Sequence, residues 1–274
     1  MMNQTLERSQ MPLPESALIP GAEPVFIDQG KTGILFLHGF TGSPYEGRDF
    51  AFHFARKGYA VWVPLLPGHG TRPEDLEGIP YQRWLEAAKS HYLEMKKHYP
   101  TVIVCGQSMG GALALHLAAG HPVDAVISLA GAIFVKDWRL RLLPLARKVL
   151  RYQYKSKGPD IRCKKNKEKM ATYHKYPLSS LVQFLNLIEF VRAELPQVTS
   201  PTLIVHSRRD HTITYENLDY IYHAISATVK KTLTLEDSYH IISVDQEQRR
   251  IFEAVEKFLQ EVLKPQNTPQ TSKK

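Results

Sequence analysis

The segment Thr101-Val102-Ile103-Val104-Cys105-Gly106-Gln107-Ser108-Met109-Gly110-Gly111-Ala112 constrains this chain more than any other part of it. An apolar run at 102–105 leads straight into Gly-x-Ser-x-Gly, and a helical pattern follows at 108–119. A strand can turn directly into a helix only where the backbones pass very closely. Small residues at Gly106 and Gly110 allow that approach. The serine then stands at a helix N-terminus, where free N–H groups and the helix dipole face any anion that forms. The pentapeptide alone is a weak signal, but its strand–turn–helix setting makes it a strong one.

The rest of the chain supplies that setting. Short apolar runs predict strands at 25–27, 33–37, 60–63, 102–105, 125–129, 202–206 and 231–235. The runs at 34–37, 102–105 and 202–205 are nearly all apolar, as parallel strands covered on both faces are. Helical patterns fall at 45–57, 81–98, 108–119, 180–194, 216–227 and 246–263. In the 180–194 pattern, Leu181, Phe184, Leu185, Ile188 and Val191 form one stripe. Alternation of the two predicts an α/β fold with a doubly wound, mostly parallel sheet. About 70 residues separate the strands at 125–129 and 202–206, too many for a plain crossover. The expected organisation is a flexible N-terminal arm at 1–23, a core at 24–132 and 196–264, an inserted cap at 133–195 and a flexible tail at 265–274.

A serine nucleophile needs a base, and the base needs an acid to orient it. In a sheet of this kind they follow in the order serine, acid, histidine, after later strands. Asp210 comes four residues after the strand at 202–206, and His240 lies in the loop after the strand at 231–235. Asp219 falls within a helix and Asp237 lies too near the base. The other histidines sit on helices, at helix ends, at the close of a strand (His206) or beside the chosen acid (His211). Attack on a carbonyl also needs two donors for the oxyanion. The N–H of Met109, next to the serine, is one. The N–H of Phe40, in the loop Leu37-His38-Gly39-Phe40-Thr41-Gly42 after the strand at 33–37, is the other.

With these residues in view, the chain resembles the α/β-hydrolases, specifically the bacterial carboxylesterase and monoacylglycerol lipase group. The matching pieces are 37–42, Leu66-Pro67-Gly68-His69-Gly70, 106–111, Arg209-Asp210 and 240–247. The resemblance implies an α/β-hydrolase fold with a lid. It also implies hydrolysis of short- or medium-chain esters or monoacylglycerols without a cofactor or metal. The family's serine, acid and histidine fall on Ser108, Asp210 and His240, and its oxyanion donors on Phe40 and Met109. Relatives usually carry glycine just before the histidine, where this chain has Tyr239. Haloalkane dehalogenase and epoxide hydrolase members use an aspartate nucleophile, so Ser108 excludes their chemistry. A thioesterase or a lysophospholipase remains open, as does a catalytically silent ligand-binding member.

Charge is segregated along the chain. The net charge is +8 over 274 residues, yet 136–169 holds 13 basic residues against three acidic ones. Outside that stretch the chain is slightly acidic, which argues against a nucleic-acid-coating protein. The plainest reading of the basic cap is a solvated face whose leucines pack down over the pocket. The others are contact with an anionic lipid surface through a basic amphipathic segment at 140–154, or steering of an acidic substrate. Two distant cysteines, Cys105 and Cys163, offer no disulfide framework. The polar start of the chain, with Pro12, Pro14 and Pro20, does not read as a signal peptide. The expected setting is the cytoplasm, with a small-molecule ester as partner.

Overall fold

In a computed structural model, the structure describes residues 16–263. The tail expected at 265–274 and most of the expected arm lie outside the described residues. The last part of that arm is seated in the structure. The Ile19 N–H donates to the Gly70 carbonyl at 2.8 Å, and Ala22 is fully buried.

The core is one seven-stranded sheet. Its strands are β1 (Val25–Ile27), β2 (Thr32–Leu37), β3 (Ala60–Val63), β4 (Thr101–Gln107), β5 (Ala125–Leu129), β8 (Thr202–Ser207) and β9 (Lys230–Leu235). Their order is β1-β3-β2-β4-β5-β8-β9. β1 runs antiparallel to β3 and the other pairings are parallel. The register sets Leu37 beside Gly106 and Gly106 beside Ser128. The ends of β2, β4 and β5 therefore open at one edge, where ligands of open α/β sheets bind.

Both faces are covered, which is why the central strands are apolar throughout. On one face, α1 (Tyr45–Ala55) and α8 (Gln248–Val262) bury Phe50, Phe54, Ile251, Phe252, Val255, Phe258 and Leu259 against Ile34, Phe36, Ile103 and Cys105. On the other, α2 (Tyr81–His98), α3 (Met109–Gly120) and α7 (Glu216–Ala224) pack against Leu35, Leu37, Val102 and Val104.

The insertion between β5 and β8 holds a 3₁₀ turn at Trp138–Leu142, α4 (Leu143–Val149), β6 (Tyr152–Tyr154), α5 (Lys164–Lys169), β7 (Lys175–Pro177) and α6 (Leu178–Glu194). β6 and β7 form a separate antiparallel pair. Phe184, Leu187, Ile188 and Val191 of α6 enter the same core as α2 and α3, which ties the insertion to the sheet.

The segment at 140–154 is not one amphipathic helix. It breaks into the 3₁₀ turn, α4 and β6, with Pro144 near the start of α4. Of the leucines expected to pack down, only Leu143 is buried. Leu142, Leu145, Val149 and Leu150 are 54–78% exposed, and Trp138 is 73% exposed. At about 100° per residue, positions 145 and 149 lie across the helix from Leu143, so seating Leu143 turns them outward.

Candidate active site

Ser108 separates β4 from α3 with φ 56 and ψ −113. A non-glycine residue in such a conformation stores about 1–3 kcal/mol of strain and needs fixing from outside. Its N–H donates to the Leu129 carbonyl at 2.8 Å, and its carbonyl accepts from Ala112 and Ala132. The flanking glycines are sterically required. A Cβ on Gly106 would stand 2.0 Å from the Gly110 carbonyl oxygen, and one on Gly110 would stand 1.9 Å from that of Leu37.

The three residues chosen from the sequence come together. His240 Nε2 is 2.9 Å from Ser108 Oγ, and His240 Nδ1 is 2.7 Å from Asp210 Oδ2. The Asp210 side chain is fully buried. Its Oδ1 accepts from the N–H groups of Thr212 at 2.8 Å and Ile213 at 2.7 Å. Its Oδ2 also lies 3.2 Å from His206 Nε2. Burial alone would raise the Asp210 pKa. The charge of His240 and the hydrogen bonds from both histidines outweigh it and hold the carboxyl well below the usual range. For His240, burial pulls the pKa down, but the charge and hydrogen bond of Asp210 leave it above 6.5.

His240 is held by residues far away in sequence. Gln107 Nε2 donates to the His240 carbonyl at 2.9 Å, and Gln107 Oε1 accepts from Ser243 N–H at 3.3 Å. The N–H groups of His240 and Ile241 both donate to the Asp160 carbonyl of the cap at 3.1 Å. Tyr239 N–H donates to Asp245 Oδ2 at 2.7 Å. Among the described residues, the positive-φ non-glycine residues are Thr41, Ser108 and Ala130, so position 239 makes no demand for glycine. That explains how tyrosine is accommodated there.

Phe40 lies in the turn Gly39–Gly42, closed by Gly42 N–H donating to the Gly39 carbonyl at 3.1 Å. The turn lies over the serine: a Cβ on Gly39 would be 3.4 Å from Ser108 Cβ. Among the described residues, no protein acceptor takes the Phe40 or Met109 N–H. The Phe40 ring stacks on Phe184 of α6 at 5.1 Å and meets Tyr176 of β7 at 5.6 Å. His38 pins the base of the loop, its Nε2 accepting from Leu66 N–H at 3.1 Å.

Several residues here carry no sequence signal. Glu46 of α1 is buried, its Oε2 accepting from Gly39 N–H at 2.7 Å. Burial pushes its carboxyl up to about 7. Lys155 reaches the same loop from the cap, and burial brings its ammonium down to about 8. Each opposes the other's shift through its charge. His206, read as merely closing a strand, is the second histidine on Asp210. Gln107 lies inside the serine motif, and only its position there could have drawn attention to it.

A family model described as "Serine aminopeptidase, S33" matches residues 28–247. The chain belongs to this family. It is an α/β-hydrolase of the bacterial carboxylesterase and monoacylglycerol lipase group. It is 34% identical over 240 residues to a thermostable monoacylglycerol lipase from Bacillus sp. (strain H-257), covering 86% of this chain and 93% of the relative. It is 28% identical over 244 residues to a carboxylesterase from Bacillus subtilis (strain 168), covering 88% of this chain and 97% of that one. A solved structure described under the metagenome-derived lipolytic enzymes LipS and LipT superposes with a TM-score of 0.85 at 30% identity, covering 89% of this chain and all of that one. The family and these neighbours make the chain a hydrolase of the carboxylic-ester class.

Proposed function

We propose that this hydrolase works through Ser108, His240 and Asp210 and cleaves short- or medium-chain acyl esters or monoacylglycerols. The hydrogen-bonded chain from Ser108 Oγ through His240 to Asp210, at 2.9 and 2.7 Å, carries the reading. Ser108 Oγ attacks the ester carbonyl carbon while His240 Nε2 takes its proton. Asp210 holds the imidazole in orientation and stabilises its charged form. The N–H groups of Phe40 and Met109 take up the oxyanion. The carbonyl re-forms, the C–O bond to the alcohol breaks, and His240 returns the proton to the departing oxygen. A water deprotonated by His240 then attacks the acyl carbon, the C–O bond to Ser108 Oγ breaks, and His240 returns the proton to that oxygen as the acid leaves. A catalytically silent binding role is disfavoured, because it would leave the strain at Ser108 without a purpose.

The monoacylglycerol reading is supported by the name of the 34% identical relative. Hydrolysis across p-nitrophenyl acyl lengths, monoacylglycerols, acyl thioesters and lysophospholipids sorts the substrates. A preference for lysophospholipids or acyl-CoA would favour the second reading, in which the basic cap binds an anionic head group.

The cap surface supports contact with an anionic lipid surface. Trp138, Leu142, Leu145 and Val149 are exposed at successive spacings of four, three and four residues. Among the described residues, the exposed cations Arg141, Arg147 and Lys148 beside them have no ion-pair partner. Exposed apolar side chains interspersed along the chain with unpaired cations match a layer of acyl chains beneath anionic head groups. Tyr176, which touches Phe40, is within electrostatic reach of Arg139 and Asp137, the sequence neighbours of Trp138.

A further inference from the structure

Thr41 directly follows Phe40 and has φ 63, a conformation that β-branched residues avoid. The inserted cap grips it at three points. Lys155 Nζ donates to Thr41 Oγ1 at 2.5 Å, Thr172 Oγ1 donates to the Thr41 carbonyl at 2.8 Å, and Tyr173 N–H donates to the same carbonyl at 3.2 Å. Two residues on, Ser43 Oγ donates to the cap carbonyl of Ala171 at 2.6 Å. From the core side, Glu46 takes the Gly39 N–H. Its other oxygen would be 2.0 Å from a Cβ on Gly42, so the carboxylate fills the inside of the turn. The oxyanion loop is thus held between a carboxylate of the core and an ammonium of the cap.

We propose that Lys155 and Glu46 are positioning residues for the oxyanion donor at Phe40, Lys155 acting from the cap and Glu46 from the core. The seating of the cap then sets the rate of acyl transfer as well as the choice of substrate. This rests on Phe40 being an oxyanion donor. Lys155 makes no hydrogen bond to Ser108, His240 or the Phe40 amide. Its effect passes through Thr41, whose left-handed backbone it holds in place.

The test is a double-mutant cycle on p-nitrophenyl butyrate. Lys155→Met should lower kcat about tenfold or more, since misplacing a group by about 1 Å can cost about 100-fold. KM should change less than about twofold. Binding of a trifluoromethyl ketone, whose hemiketal oxyanion sits on the same two amides, should weaken in proportion. Thr41→Gly adopts the positive φ freely, so Lys155→Met in that background should cost less than about twofold in kcat. Wild-type kcat in Lys155→Met, or the same loss in both backgrounds, would overturn the proposal. A change confined to KM would overturn it too and assign Lys155 to substrate binding. Should Lys155→Met fail to fold, Thr172→Val carries the same expectations through its bond to Thr41. Fluorophosphonate labelling separates the two readings. A wild-type protein that does not label defeats the serine mechanism, whereas wild type and Lys155→Met that label and turn over equally defeat only the role of Lys155.

Discussion

His206 and His240 converge on the same oxygen, Asp210 Oδ2, at 3.2 and 2.7 Å. His206 Nε2 also lies 2.9 Å from the Ile213 carbonyl, and its buried Nδ1 has no partner. Donation from Nε2 therefore satisfies this ring best. Asp210→Asn should lower kcat by about 10⁴, because the imidazole loses its orienting anion. His206→Phe removes a hydrogen bond to a buried carboxylate and should cost about 1.5–3 kcal/mol of stability. Urea unfolding of that variant checks the second figure, and wild-type stability would contradict it.

The pH profile follows from His240. Under the proposed mechanism it must be neutral to take the Ser108 proton, and its pKa in the fold lies above 6.5. Activity should therefore fall as pH drops through that raised value, placing the acid-limb midpoint of kcat/KM above pH 6.5. Asp210→Asn should move the midpoint down. Burial pushes Glu46 up to about 7, and its charge acts on His240, so the same profile on Glu46→Gln separates its contribution. The stability contribution has the opposite sense. It is complete below pH 6.5 and is lost as pH rises through the folded value.

Gly106→Ala and Gly110→Ala each place a methyl group about 2 Å from a backbone oxygen in a buried turn. Neither clash can be relieved by moving a side chain. Each should destabilise by about 3 kcal/mol or more, measured by chemical unfolding. A variant with near-native stability would mean that the turn can open.

The cap contact has a built-in reporter. Of the three tryptophans, Trp62 and Trp84 are buried and Trp138 is exposed. Brominated phosphatidylglycerol vesicles should quench Trp138, and neutral phosphatidylcholine vesicles should not. Leu145→Glu should abolish the quenching and leave p-nitrophenyl butyrate turnover unchanged. Reversing Arg147 and Lys148 should weaken binding by at least about 30-fold. Absence of quenching at low salt would contradict lipid contact. A wild-type dimer that Leu145→Glu makes monomeric would assign the patch to a second copy of this chain.

What the sequence made legible was local. The apolar strand runs and the Gly106–Gly110 turn each lie within a few residues and appear in the fold as read; the stripe on α6 appears with Leu187 fully buried beside Phe184, Ile188 and Val191, and with Leu181 and Leu185 half-buried at its margin. Ser108, Asp210 and His240 could be chosen because each falls just past a recognisable strand. Glu46, Lys155 and Asp160 act across separations that no local pattern encodes, and in sequence they look like ordinary surface charges. The cap was the least legible region. Its elements are three to seven residues long apart from α6, too short to set a period. The outward turn of Leu145 and Val149 depends on which neighbour Leu143 finds.

The central claim is that Ser108 Oγ carries the acyl group. Intact-mass measurement of protein quenched in acid during turnover of p-nitrophenyl butyrate tests it directly. One butyryl group should appear on the wild-type protein, map to Ser108 after digestion and be absent from Ser108→Ala, which should also lose turnover. Turnover retained by Ser108→Ala, or an acyl group found on another residue, would contradict it.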